Sequence, residues 1–145
     1  MKRFFLTTVL ALMVLFSQAQ TGYNIPITLK PYKNQYIYLG YYYGKVKGQA
    51  DSIMLNSNSY GVFKGKKNLP GGIYFIVSPK KQILFEVLLD KNQQFSIRAD
   101  STGAPDKVIF TGSPDNTLFQ SYTASIAGKE REIVGQNYTG KLKEF

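Results

Sequence analysis

The sequence of 145 residues contains no cysteine and no histidine. Without them the chain cannot itself supply a thiolate nucleophile, a Cys-x-x-Cys redox pair, a Ser-His-Asp triad or a His/Cys zinc site. No pair of carboxylates stands out as a general acid–base couple either. We therefore expect no enzymatic activity, no cofactor and no metal site in this chain. Because no disulfide can form, the fold must be stabilised by a hydrophobic core.

The N-terminal residues have the features of an export signal. Two basic residues precede an apolar run at positions 4–16, and this order is typical of signal peptides. The run is shorter than the roughly 20 residues that span a bilayer. Small side chains at Ser17 and Ala19 predict cleavage between Ala19 and Gln20, which makes residues 1–19 the signal peptide. The mature protein is then expected in the periplasm or elsewhere in the cell envelope, with no stable membrane span.

The formal net charge of +9 is the next feature to interpret. A basic exported protein can meet nucleic acid or anionic envelope polymers. The lysines, however, are scattered in small groups that fall in or beside predicted turns, instead of forming one patch. Turn lysines that keep strand ends soluble explain this pattern better, and we expect no nucleic-acid partner.

Alternation of apolar and polar residues with period two dominates positions 23–112 and predicts seven or eight short β-strands. Short strands at this spacing indicate an antiparallel β-sandwich. Residues 72–100 are predicted to form three successive antiparallel strands. The middle one, residues 83–89, is apolar on both faces and is predicted to be a central strand. Pro26 predicts an edge position or a strand start for the first strand.

The pattern changes at residue 113. Ser113, followed by Pro114 and Asp115, predicts the start of a helix. Apolar residues then recur near helical spacing at Leu118, Tyr122, Ile126 and Ile133. We divide the chain into the signal peptide, a β-sandwich over 20–112 and a helical segment over 113–145. The last residues have neither a cap nor an apolar face able to close a core. The segment is therefore either a frayed C-terminal tail or, as we interpret it, the start of a connection to a downstream domain of a longer chain.

Residues 35–52, QYIYLGYYYGKVKGQADS, combine tyrosines with lysines. Rings beside cations can stack on single-stranded nucleic acid or on sugar. Alternation places Tyr36, Tyr38 and Tyr42 on one face of the strand, which makes them the candidate binding residues for an envelope glycan or peptide. Strand tyrosines serve burial more often, and the segment does not match the RNA-recognition signature. We therefore favour an ordinary strand packed against a core.

Several short motifs follow one another in a recognisable order. They are ADSIML, GVFKG, LPGGIYFIV, ILFEVLLDKNQQFSI and FTGSPDNTLFQSY. In this order the chain resembles the uncharacterised β-rich N-terminal domain that precedes thioredoxin-like (redoxin) domains in Bacteroidetes-type exported proteins. The resemblance extends roughly from residue 22 to residue 122. The matching positions are Asp51, Ser52, Gly61, Phe63, Pro70, Tyr74, Gly112, Ser113, Asn116, Phe119 and Tyr122.

The resemblance implies a role but no catalytic residue. Thiol–disulfide chemistry in such proteins belongs to the downstream thioredoxin-like domain and its cysteines, and no residue here matches that domain. It implies a non-catalytic accessory module of an exported thiol–disulfide protein, whose partner is a downstream or separate thioredoxin-like domain. A stand-alone envelope module that binds glycan or peptide through the three tyrosines is the alternative.

Overall fold

The computed structural model describes residues 22–141. The predicted signal peptide, with its cleavage positions Ala19 and Gln20, lies outside these residues. The elements, in chain order, are β1 (Asn24–Lys30), β2 (Tyr36–Tyr43), β3 (Val46–Met54), β4 (Tyr60–Lys64), β5 (Gly72–Val77), β6 (Ile83–Leu89), β7 (Ser96–Asp100), β8 (Ile109–Thr111) and α1 (Pro114–Lys141). None of the helical residues described forms a stretch long and apolar enough to cross a membrane.

The strands form two sheets of four strands, in the orders β4-β1-β7-β8 and β3-β2-β5-β6. All neighbouring strands run antiparallel except β1 and β7, which are parallel. The prediction of a mainly antiparallel β-sandwich followed by a C-terminal helix is thus confirmed. One parallel pair is the exception within it.

The core lies between the two sheets and follows from the alternation of side chains along each strand. In β1 the odd-numbered residues are buried, and in β2 the buried pair is Ile37 and Leu39. Full burial of such a side chain stabilises a fold by roughly 1.5–3 kcal/mol. The largest fully buried apolar side chains are Phe63, Ile25, Ile27, Leu29, Ile37, Leu39, Leu55, Ile76, Leu89 and Val87.

Strand β7 departs from the sequence prediction. The structure confirms that β5 and β6 pair antiparallel, but β7 crosses to the other sheet and runs parallel to β1, with Ile97 opposite Ile27. The buried Gln93 explains the crossing. Its backbone C=O accepts the N–H of Asn24 at 2.9 Å, and its side-chain amide bonds both the N–H and the C=O of Leu69. These bonds hold the connection after β6 against the start of β1 and against the connection between β4 and β5.

The prediction that β6 is a central strand is wrong, because β6 lies at the edge of its sheet. Its inward side chains, Phe85, Val87 and Leu89, are buried in the core. Leu84 lies at an irregularity of the ladder with β5 and packs against the core, Leu88 is half-buried on the other face, and α1 contacts β6. Contact with the core at Leu84, together with contact between β6 and α1, accounts for the apolar residues of this strand without a further strand on its open side.

The sequence also predicts an edge position or a strand start at Pro26, yet β1 is an interior strand. The side of β1 that faces β7 shows why the sheet tolerates it. Asn24 donates its N–H to the C=O of Gln93, and the ladder with β7 begins only at Ile27. Pro26 stands between these two contacts, so its missing N–H removes no bond of the ladder.

Three glycines lie beneath aromatic rings from a neighbouring strand or loop. Phe75 covers Gly40, Tyr41 covers Gly48, and Tyr23 covers Gly65. A β-carbon on any of these glycines would overlap the ring. Covering a strand glycine with a cross-strand ring restores the side-chain packing that glycine lacks.

The start of α1 is capped as predicted. The Oγ atom of Ser113 accepts the N–H of Asn116 at 3.4 Å and its Nδ2 at 2.9 Å. The Asn116 side chain is buried and also bonds β6: its Oδ1 accepts the N–H of Leu88 at 2.7 Å, and its Nδ2 donates to the C=O of Leu88 at 2.8 Å. This amide therefore stands where a neighbouring strand would pair with the edge.

Candidate functional site

The three candidate tyrosines lie on the outer face of the β3-β2-β5-β6 sheet, opposite the core. Tyr36 and Tyr42 are 49% and 43% exposed, and Tyr38 is half-buried. The prediction that these rings pack into the core is therefore wrong. The register of β2 explains the outcome, because burying Ile37 and Leu39 turns the even-numbered residues outward.

Phe75 on β5 supports this outer surface. It is buried although it does not point into the core, since its ring lies over Gly40 and beside Tyr42, with ring centroids 4.7 Å apart. The tilted contact is a favourable geometry for an aromatic pair. Tyr36, Tyr38, Tyr42 and Phe75 together are called the tyrosine face below.

Lysines cover part of the tyrosine face. The Nζ of Lys81 lies 3.1 Å from the ring centroid of Tyr38, and the Nζ of Lys47 lies 5.9 Å from that of Tyr42. Both contacts have cation–π geometry. Tyr36 and the open side of Tyr42 remain accessible, so the face offers two flat aromatic surfaces with cations nearby, suited to stacking on a sugar ring or a peptide side chain.

A second surface lies on α1. The helix turns Asn116, Phe119, Thr123 and Ala127 toward the sandwich, and these residues are buried or half-buried. Other apolar residues remain in solvent on a different side, with Leu118 71% and Tyr122 63% exposed. We call this set the helix stripe; its members are Leu118, Tyr122, Ile126 and Ile133, which fall within an arc of about 80° at 100° per residue.

The carboxylates do not gather into a metal centre. Within residues 22–141, no three His, Cys, Asp or Glu side chains come close enough to hold a metal ion. Asp100 is engaged in a turn, where its Oδ1 accepts the hydroxyl of Thr102 at 2.7 Å and the N–H of Thr102 at 2.9 Å. These bonds lower the pKa of Asp100 from its usual value.

Asp51 links the two sheets through a tyrosine that sequence reasoning did not single out. The hydroxyl of Tyr23, just before β1, donates to the Oδ2 of Asp51 on β3 at 2.8 Å. The Oδ1 of Asp51 accepts the N–H of Ser52 at 2.7 Å. Burial, together with the hydrogen bond to the Asp51 carboxylate, raises the pKa of Tyr23 to about 12. The Tyr23–Asp51 pair is a structural tie between the sheets.

This tie predicts a loss of stability in alkali. The folded pKa of Tyr23 lies above the value of about 10 for an unfolded tyrosine. Its contribution is therefore complete below pH 10 and is lost as the pH rises toward 12. Between pH 9 and pH 12, the free energy of unfolding from urea titrations should fall by about 2 kcal/mol more in the wild type than in Tyr23→Phe. Tyr43→Phe, at a ring 79% exposed, should keep the wild-type profile; equal profiles for all three proteins would contradict the prediction.

Comparison with known families places the chain. A family model described as a domain of unknown function, DUF4369, matches residues 23–119, and the chain belongs to this family. Neither curated proteins nor solved structures gave a significant match. The matched region runs from the residue before β1 into the first turns of α1.

Several of the positions that carried the resemblance have packing roles in the structure. Tyr74 donates its hydroxyl to the C=O of Pro70 at 2.8 Å, Phe63 is fully buried, and Asn116 caps the edge of β6. Gly112 has a φ of 84°, which glycine adopts without strain. These residues thus support the fold, and they do not converge on one pocket.

Proposed function

We propose that this chain is a non-catalytic accessory module of an exported thioredoxin-like thiol–disulfide protein in the bacterial cell envelope. The observation that carries the proposal is the helix stripe. The thioredoxin-like domain, whether downstream in a longer chain or a separate protein, docks on this stripe and supplies the cysteines that the module lacks. The β-sandwich then serves as the platform that holds α1.

The geometry of α1 supports this role. A surface helix ordinarily has one apolar side, which it buries against its own domain. Here the side that packs on the sandwich includes the buried amide of Asn116 and small residues such as Ala127, whereas the larger aliphatic side chains Leu118 and Ile126 are exposed. A second apolar side fits a second packing partner. The resemblance to modules that precede redoxin domains supplies the chemistry of that partner.

Photo-cross-linking in the envelope of the source bacterium tests the proposal. A photoreactive amino acid at Tyr122, which is 63% exposed, should form adducts with a thioredoxin-like domain, identified by mass spectrometry from its Cys-x-x-Cys peptide. Leu118→Ser should abolish these adducts without lowering the melting temperature, because the side chain is already in solvent. The same probe at the exposed Asn58 is the control. Adducts confined to proteins without a thioredoxin-like domain would contradict the proposal.

The tyrosine face supports a second candidate function, the binding of an envelope glycan or peptide. The observation that favours it is the exposure of Tyr36 and Tyr42 beside the Lys81–Tyr38 contact. The two functions are separable because the surfaces lie on different elements. Loss of envelope adducts in Tyr36→Ala and Tyr42→Ala, with Leu118→Ser unaffected, would place the partner on the tyrosine face instead.

A further inference from the structure

An open groove of about 780 Å³ lies between the edge strand β6, the segment before β8 and the inner side of α1. Leu84 and Glu86 line it from β6, Phe119 and Thr123 from α1, and Asp106 from the loop between β7 and β8. The groove is separate from the helix stripe, since it uses the side of α1 that faces the sandwich. Its floor is apolar, and its strand wall is the free edge of a sheet.

The backbone of Glu86 faces this groove. The backbone N–H and C=O of Leu88 are both hydrogen-bonded to the side chain of Asn116. They therefore point away from β5. Glu86 stands two residues earlier, opposite Phe75 in the ladder, as Leu88 stands opposite Ile73. Alternation along an antiparallel strand gives Glu86 the same orientation. Its N–H and C=O therefore point into the groove, where no group of residues 22–141 pairs with them.

Asn116 and the groove together occupy the position that a further strand would take beside β6. Asn116 fills one end of that position, and the groove is the open remainder. The amide of Asn116 makes the two bonds that a neighbouring strand would make at Leu88, and the groove opens beside the next such position. From Phe119 to Arg131 the helix lines the groove over about 18 Å at 1.5 Å per residue. This length accommodates about five residues of extended chain at 3.3 Å per residue.

The charged side chains that line the groove favour extended segments that carry a basic residue. Glu86 and Asp106 both line it, and neither carboxylate forms an ion pair with a residue in the described range 22–141. The groove also contains Arg131, farther along the helix. In a chain with a formal net charge of +9, two unpaired carboxylates at one cleft are complementary to a basic side chain.

We propose that this groove binds an extended polypeptide segment of another protein, which adds to β6 as a fifth strand and carries a lysine or arginine toward Glu86 and Asp106. Main-chain hydrogen bonds to Glu86 supply affinity, and the apolar floor under alternate side chains supplies selectivity. The inference goes beyond the proposed accessory role and does not depend on the helix stripe.

A fluorescein-labelled peptide of nine residues, alternating valine with lysine and threonine, is the probe. Fluorescence polarisation should show saturable binding to the wild-type protein. Glu86→Pro removes the N–H that faces the groove but no bond of the ladder with β5, and proline is tolerated at sheet edges. It should weaken binding by at least about tenfold. The same peptide with alternate backbone nitrogens methylated should lose affinity for the wild type to a similar extent.

Two further variants keep the test decisive if Glu86→Pro destabilises the fold. Ala124→Trp places a ring in the groove from the surface of α1 and should also block binding. Glu86→Gln keeps the backbone and removes one charge, so it should weaken binding severalfold and reduce its salt dependence. Asn58→Ala, in the exposed loop between β3 and β4 at the opposite edge of the sheets, should bind as the wild type does.

The proposal is overturned if the peptide does not bind below about 1 mM, or if Ala124→Trp and the methylated peptide leave affinity unchanged. A wild-type dimer in sedimentation that Ala124→Trp dissociates, without any peptide binding, would also overturn it. The occupant of the edge would then be a second copy of the chain.

Discussion

Replacing Phe85 with alanine is expected to lower the free energy of unfolding by about 3–5 kcal/mol. The ring is only 4% exposed and belongs to the core between the sheets. Removing it forfeits the transfer free energy of the ring and leaves a cavity that close-packed neighbours fill only in part. Because β6 is an edge strand with β5 as its one strand neighbour among the described residues, its inward side chains also hold the edge in place.

Urea unfolding of wild type and variant, compared at constant slope, measures this loss as a shift of the midpoint. Ile83→Ala is the matched control, since it removes an aliphatic side chain from the same strand at a site 38% exposed. That variant should lose no more than about 1 kcal/mol. Equal losses for the two variants would mean that Phe85 does not anchor β6 in the core.

The strand positions were accessible from the sequence because each strand carries its own signal. In β1 and β2 the period-two alternation predicts the strand and which residues share a face, and the structure confirms both, with Ile25 and Ile27, and Ile37 and Leu39, on the buried face. The helix start was equally local, since the Ser113 cap and its following proline act within four residues. Sequence patterns that act over a few residues can be recognised without knowledge of the tertiary structure.

Strand order was not accessible, because pairing depends on contacts between distant segments. Nothing in residues 96–100 reveals that β7 pairs with β1. In the sequence, Gln93 is indistinguishable from any other polar turn residue, although its buried amide holds the crossing. The edge position of β6 was hidden for a related reason. An apolar outer face looks the same whether a helix or another layer covers it.

The candidate surfaces also combine features that the sequence predicts with features that only the structure shows. Alternation placed Tyr36, Tyr38 and Tyr42 on one face, and the structure confirms that they share it, but only burial shows that this face is the outer one. The groove beside β6 had no sequence signal at all. It arises where α1 stands away from the edge of β6, which within residues 22–141 is bonded on its open side through Asn116, and the two elements are far apart in sequence.

Replacing Asn116 with alanine is expected to lower the free energy of unfolding by about 3 kcal/mol. The amide is 1% exposed and bonds the N–H and C=O of Leu88 as well as the hydroxyl of Ser113. Truncation leaves the two backbone groups of Leu88 without partners, and each buried unpaired group costs about 1–3 kcal/mol. Asn58→Ala, at an exposed loop position, should change stability by less than about 0.5 kcal/mol.

Asn116→Asp separates hydrogen bonding from side-chain volume. In the wild type the C=O of Leu88 accepts a hydrogen bond from Nδ2 of Asn116. The aspartate keeps an oxygen that accepts the N–H of Leu88. When it is ionised, its second oxygen faces the C=O of Leu88 and repels it. Burial and this repulsion raise the pKa of the new carboxyl above that of an unfolded aspartate. The neutral acid can donate to the carbonyl, so the deficit relative to wild type should be largest at neutral pH and should shrink as the pH falls through the raised pKa. Hydrogen exchange at the Leu88 amide should follow the same pH dependence. A deficit independent of pH, with Leu88 protected as in the wild type, would show that the side chain of Asn116 does not substitute for a neighbouring strand.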